Sequence, residues 1–284
     1  MQELARQDHH VTELQVDARY LNIGLSNSIL DNPSATYDEF VALLRKPGFR
    51  RLDLDLSVTQ ESLSWNSYRT GYLQRALAEA KDLEHFSFRS SIRHDPDGPL
   101  PGSPGSIEYF VPLRSVFPIE RWPRLRHFGL NNFLVTQEDV LALLAALPST
   151  VRTIELGFLR FLDDSGSHEG LLNDMRDTLG WQDRAEEERP KVTISTEMAD
   201  HGWSGRAIWV DKEIDDFLYR GGENVFGHDG WGPNRIAQGF GTVRDAFDPA
   251  WERPWVSYEK YQELGIYSGT PWPLRKREMQ TTAE

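Results

Sequence analysis

One short pattern, repeated along the chain, constrains its fold more than any other feature. An apolar residue, two variable ones, an apolar one, one variable and a last apolar recur as Val11-Thr-Glu-Leu14-Gln-Val16, Phe49-Arg-Arg-Leu52-Asp-Leu54 and Leu83-Glu-His-Phe86-Ser-Phe88. The pattern returns as Leu125-Arg-His-Phe128-Gly-Leu130 and Val151-Arg-Thr-Ile154-Glu-Leu156. A weaker copy, Arg189-Pro-Lys-Val192-Thr-Ile194, lacks the first apolar anchor. The copies start 38, 34, 42, 26 and 38 residues apart. Alternation at the last two anchors is the period-2 signature of a strand with one buried face. Strands are therefore expected near 11–16, 49–54, 83–88, 125–130, 151–156 and 190–194.

Helical patterns fill the gaps. Phe40, Val41 and Leu44 share a face behind Thr36, with Glu39 placed to complete a capping box. Tyr72, Leu73, Ala76, Leu77 and Ala80 form one apolar stripe; Val140, Leu141, Leu144 and Leu147 form another behind Thr136 and Asp139. Leu171, Leu172, Met175 and Leu179 make a fourth. Residues 93–106 are dense in Pro and Gly and read as an inserted surface loop.

Strand–helix units of fixed polarity cannot each bury an apolar face alone, but side by side they can. The expectation is α/β: a leucine-rich-repeat-like solenoid over residues 1–195, with a parallel sheet on the concave side and helices on the convex side. A doubly wound sheet also alternates strands and helices, but its strands are covered on both faces and read as continuous apolar runs. Here Arg51, Asp53, His85, Ser87, His127, Thr153 and Glu155 stand between the anchors and require water on one side. From 196 to 284 the composition changes. Six of nine Trp and half of the 22 Gly fall in that last part, which reads as an irregular extension packing on the solenoid. Within it, Val210, Ile214, Phe217 and Leu218 share a helix face that stops at Gly221-Gly222.

The repeat Leu125-Arg-His-Phe-Gly-Leu-Asn-Asn-Phe-Leu-Val-Thr-Gln-Glu-Asp-Val-Leu-Ala-Leu-Leu, continued by Leu147-Pro-Ser-Thr-Val-Arg-Thr-Ile-Glu-Leu156, resembles the repeat region of a large group of fungal F-box proteins. Phe217-Leu-Tyr-Arg-Gly-Gly-Glu-Asn-Val-Phe226, Gly239-Phe-Gly-Thr-Val-Arg-Asp-Ala-Phe-Asp-Pro249 and Glu252-Arg-Pro-Trp255 are similar to the tails of the same group. The resemblance implies a substrate receptor of a cullin-based ubiquitin ligase, in which an N-terminal F-box holds the adaptor and the repeats hold the target. Only ten residues, mostly polar, precede Val11, so no F-box is visible. The expectation drawn is target binding without the adaptor. A solenoid opening at Val11 also presents an uncapped end, expected to be covered by further N-terminal sequence, by a partner or by self-association.

If the strands align on their anchors, the residues between them form rows on the open face. One row is Glu13, Arg51, His85, His127, Thr153 and Lys191; the next is Gln15, Asp53, Ser87, Gly129, Glu155 and Thr193. A third is Asp17, Asp55, Arg89, Asn131, Gly157 and Ser195. This polar, mixed-sign face is the expected partner-binding surface. His85 and His127, with Asp53 and Glu155 diagonal to them, have zinc-ligand chemistry, but a histidine pair without metal is the expectation.

Catalysis has less support. His228 and Asp229 offer an imidazole and a carboxylate in the Gly-rich turn Gly227-His-Asp-Gly230. No Gly-x-Ser-x-Gly, phosphate loop, His-Glu-x-x-His or Gly-x-Gly-x-x-Gly accompanies them. No enzyme activity, cofactor or metal is expected. With 31 Lys and Arg against 44 Asp and Glu, the net charge of −13 opposes binding to nucleic acid or anionic lipid. The absence of cysteine excludes disulfides, iron–sulfur clusters and thiol nucleophiles. No apolar run reaches the roughly 20 residues of a membrane span, and Met1–Asp8 lacks the apolar stretch of a signal peptide. A soluble protein of the cytoplasm or nucleus is expected.

Overall fold

A computed structural model describes residues 10–16, 25–57, 66–91, 110–197, 206–227, 233–236 and 240–245. Asp17, the stretch 93–106, His228 and Asp229, and the tail beyond residue 245 lie outside the described residues. In chain order the strands are β1 (Glu13–Val16), β2 (Leu25–Ser26), β3 (Arg51–Ser57), β4 (His85–Ser91), β5 (His127–Asn131) and β6 (Leu134–Val135). They continue as β7 (Thr153–Gly157), β8 (Arg160–Phe161), β9 (Lys191–Glu197), β10 (Arg206–Val210) and β11 (Thr242–Asp245).

The architecture is α/β, with a mostly parallel central sheet. The six repeated segments lie side by side in chain order as β1, β3, β4, β5, β7 and β9, every pair parallel. β2 runs parallel to the end of β3, and β10 and β11 extend the far side of the sheet in antiparallel sense. β6 and β8 form a separate two-stranded parallel sheet.

The repeat anchors explain the pairing. Leu52, Leu54 and Leu56, Phe86 and Phe88, Phe128 and Leu130, and Ile154 and Leu156 are buried on one side of the sheet. There they join one core with Phe40, Leu43 and Leu44 of helix Ala35–Leu44, Leu73, Ala76 and Leu77 of helix Tyr72–Leu77, and Val140, Leu143 and Leu144 of helix Gln137–Ala145. Leu171, Leu172 and Met175 of helix His168–Thr178 and Ile214, Phe217 and Leu218 of helix Lys212–Tyr219 complete it. Each such side chain contributes about 1.5–3 kcal/mol when fully buried, enough to hold a helix too short to persist alone.

The longest interval, before β5, adds bulk to this core. Its described part carries Leu113, Val116, Phe117, Ile119 and Trp122, all buried. Phe117 meets Phe86, Phe88 and Phe128 edge-on, and the Trp122 indole donates to Leu77 O at 3.0 Å. Helix starts follow local chemistry. Thr136 Oγ1 accepts from Asp139 N at 3.1 Å, as its position predicts. The first long helix departs from expectation: Ser34, extended, caps it through Tyr37 N at 3.1 Å, which leaves Thr36 inside the first turn.

After β5 and β7 the backbone turns in the same way, with Asn132 at φ 58° and Phe158 at φ 50°. Asn132 N reaches Gly157 O at 2.8 Å, and Phe158 N reaches Ser195 O at 2.7 Å, so each turn continues the pairing one residue past the strand. Asn132 Nδ2 also donates to Ser90 O at 2.6 Å on the other side. The chain after Gly222 is fastened to helix His168–Thr178. Asn224 Nδ2 donates to Glu169 O at 3.0 Å, Glu169 N to Pro233 O at 3.0 Å, and His168 N to Asn234 Oδ1 at 2.8 Å.

Candidate functional site

The side of the sheet away from this core is built from the residues between the anchors. Strand alternation sends Arg51, Asp53 and Asp55 to that side, and parallel pairing places their counterparts beside them at about 4.8 Å per strand. The register is the one the anchors imply. Glu13, Arg51, His85, His127, Thr153 and Lys191 are successive partners, as are Gln15, Asp53, Ser87, Gly129, Glu155 and Thr193. Asp55, Arg89, Asn131, Gly157 and Ser195 make the third row.

The rows enclose a recess of about 260 Å³. Gln15, Arg51, Asp53, Asp55, His85, Ser87, Arg89, His127, Asn131 and Glu155 line it, so five strands contribute. Val16 and Leu54 also border it; their apolar side chains gave no reason to place them at a polar face. Three expected face residues stand outside it. Glu13 pairs with Arg50 at 3.0 Å, Lys191 with Asp211 at 3.0 Å, and Thr153 is exposed beside His127.

A chain of polar contacts crosses the first two rows. Arg51 donates to Asp53 Oδ2 from Nε at 2.9 Å and from Nη2 at 2.7 Å. The other carboxylate oxygen lies 2.8 Å from His85 Nε2. Burial alone would raise the Asp53 carboxyl, but His85 and Arg51 outweigh it and hold the group below the usual carboxylate range. The His85 and His127 rings stack with centroids 4.0 Å apart and planes 6° apart, and His127 Nδ1 lies 2.8 Å from Thr153 Oγ1. Burial, with the adjacent His85 adding to it, pushes the His127 pKa down to about 4, so this imidazole is neutral at pH 7.

The two rings face each other instead of converging on a common point. Among the described residues, no group of three or more His, Asp or Glu is placed to hold a metal ion. Two glycines shape the face. At Gly129 a methyl group would come within 3.0 Å of Ser87 Oγ; at Gly157 it would sit 1.9 Å from Asn131 Oδ1, whose side chain occupies that space. The third row is the most enclosed, with Asp55 and Asn131 each 5% exposed and Ser195 fully buried.

Among the described residues, no helix is long and apolar enough to cross a membrane. Compared with known proteins, the chain matches no family model, no curated protein and no solved structure.

Proposed function

We propose that the chain is a protein-interaction module: a leucine-rich-repeat-like solenoid that holds a partner protein on the polar face of its sheet. The role corresponds to the target-holding half of the F-box receptors it resembles, exercised in the cytoplasm or nucleus. One observation carries this reading. A face with a recess built from five strands presents polar groups already held in place by one another, as Arg51, Asp53 and His85 are. Groups fixed before binding lose little conformational freedom when a partner arrives, and extended sheet faces of stacked repeats are suited to contact along a length of chain.

Quantitative affinity capture tests it, comparing the native chain with Arg51→Ala, Arg89→Ala and Arg114→Ala. Arg114 is exposed on the short helix Leu113–Val116 and serves as control. Partners retained by the native chain and by Arg114→Ala, but lost by both face variants, are the expected result. Partners retained by all four chains would remove the face from the function. Recovery of the ligase adaptor with them would tie the module to ubiquitin transfer; its absence would favour a free-standing scaffold.

A further inference from the structure

Every charged group around the recess is already engaged. Asp53 is shared between Arg51 and His85, and Asp55, Arg89 and Glu155 each have an interaction of their own. Three carboxylates therefore stand among two guanidinium groups and the His85 imidazole, with none held in reserve for an incoming charge.

The uncharged groups differ. Among the described residues, the side chains of Ser87 and Asn131 make no hydrogen bond, and His127 bonds only through Nδ1, toward Thr153. Asn131 lines the recess yet is only 5% exposed, an amide nearly withdrawn from water with no protein partner. Buried polar groups in folded proteins are seldom left so, because an unmade bond is costly. Ser87 Oγ and His127 Nε2 stand 3.0 and 3.3 Å from one point above Gly129, the place its Cβ would take, so they flank the same space.

These open positions select the occupant. A cation or an anion would give up water with no unpaired counter-charge to receive it. An apolar side chain would cover Ser87, Asn131 and His127 and leave all three unbonded. A carboxamide donates and accepts at once, so it matches the donor and acceptor of Asn131 and also suits a hydroxyl or an imidazole. His127 is neutral at pH 7 and adds no charge here. The recess, about 260 Å³, is room for one long side chain and falls short of the roughly 300–1,000 Å³ clefts that take small-molecule ligands.

We infer that the recess seats the carboxamide of a glutamine or asparagine side chain carried by the partner protein. This rests on reading the polar face as the protein-binding surface. The carboxamide pairs with Asn131, with Ser87 Oγ and His127 Nε2 beside it, and the contacts among Arg51, Asp53 and His85 stay as they are.

NMR titration of the intact, isotope-labelled chain tests the inference with N-acetylglutamine N-methylamide, its glutamate, lysine and leucine counterparts, and glucose. The glutamine probe is expected to shift the signals of Ser87 and Asn131 and to bind at least fivefold tighter than the other four. Asn131→Asp, which puts a carboxylate of the same shape in place of the amide, should weaken it at least fivefold. Ser87→Ala, at a half-buried position, should weaken it at least threefold. Ser115→Ala, exposed on helix Leu113–Val116, removes a hydroxyl elsewhere and should change affinity less than twofold. Equal binding of the glutamate or lysine probe would overturn the inference, as would tighter binding of glucose or equal weakening by Ser115→Ala and Ser87→Ala. If no probe shifts these signals although capture is lost in Arg51→Ala and Arg89→Ala, the carboxamide seat is wrong and the polar face stands. Failure of the face itself shows separately, as capture that ignores those two variants.

Discussion

His168 shows how far one side chain's chemistry depends on its surroundings. It is only 3% exposed, with its ring stacked 5.0 Å from Phe226 and edge-on to Phe161. Nδ1 lies 3.1 Å from Asn234 Oδ1, while the buried Nε2 has no partner among the described residues. Burial pushes its pKa down from 6.5 to about 4, against the pull of Asn234. The unfolded chain therefore takes up a proton below pH 6.5 that the folded chain refuses, and stability falls as pH drops from 6.5 to 4. At about 1.4 kcal/mol per pH unit, the loss from this group is on the order of 3 kcal/mol. Urea midpoints measured across that window should fall, and His168→Gln should flatten the fall, leaving the part due to His127. Nothing in the local sequence marks His168 as buried, because Phe226 and Asn234 arrive from more than fifty residues away. The face residues are different: their rows were legible because parallel register follows directly from aligned anchors. That Asp53 is shared between Arg51 and His85 was not, since any of these side chains could equally have pointed into water.

At the scale of elements, strands were easier to read than their ends. Apolar alternation located every parallel strand of the repeat, and the spacing of Leu171, Leu172 and Met175 located the helix His168–Thr178. Caps are less certain because several hydroxyls compete near each start, as Ser34 and Thr36 do. Thr136 is the clear case, and Thr136→Ala should lower unfolding free energy by about 1 kcal/mol, read from urea denaturation, with Thr136→Ser restoring most of it. The matching carboxylate does not close the capping box. Asp139 accepts from Leu113 N at 2.7 Å and joins two neighbouring units; burial raises its pKa despite that bond. The antiparallel pair β10 and β11 carries no repeat template, and β6 and β8 are two residues each, too short for any periodicity to register.

In the whole molecule, each central strand is bonded on both sides, while β1 is paired only with β3 among the described residues. Opening β4 or β5 breaks two ladders and exposes the aromatic cluster around Phe117, and opening β7 breaks two and exposes Ile154 and Leu156; opening β1 breaks one and exposes the partly covered Leu14 and Val16. Hydrogen exchange should accordingly be slowest at Phe86, Phe128 and Ile154 and at least a hundredfold faster at Gln15, a ratio that equal protection of both regions would refute. By itself the sequence determined the α/β class, the order of the parallel strands and the identity of the three polar rows. All of these follow from period-2 alternation and a shared template, which are local properties. Tertiary structure alone decided that ten of the expected face residues enclose a recess, that His127 stays neutral and that Ser87 and His127 close over Gly129. Those outcomes depend on distances and burial between strands far apart in the chain, and no spacing along the sequence encodes them.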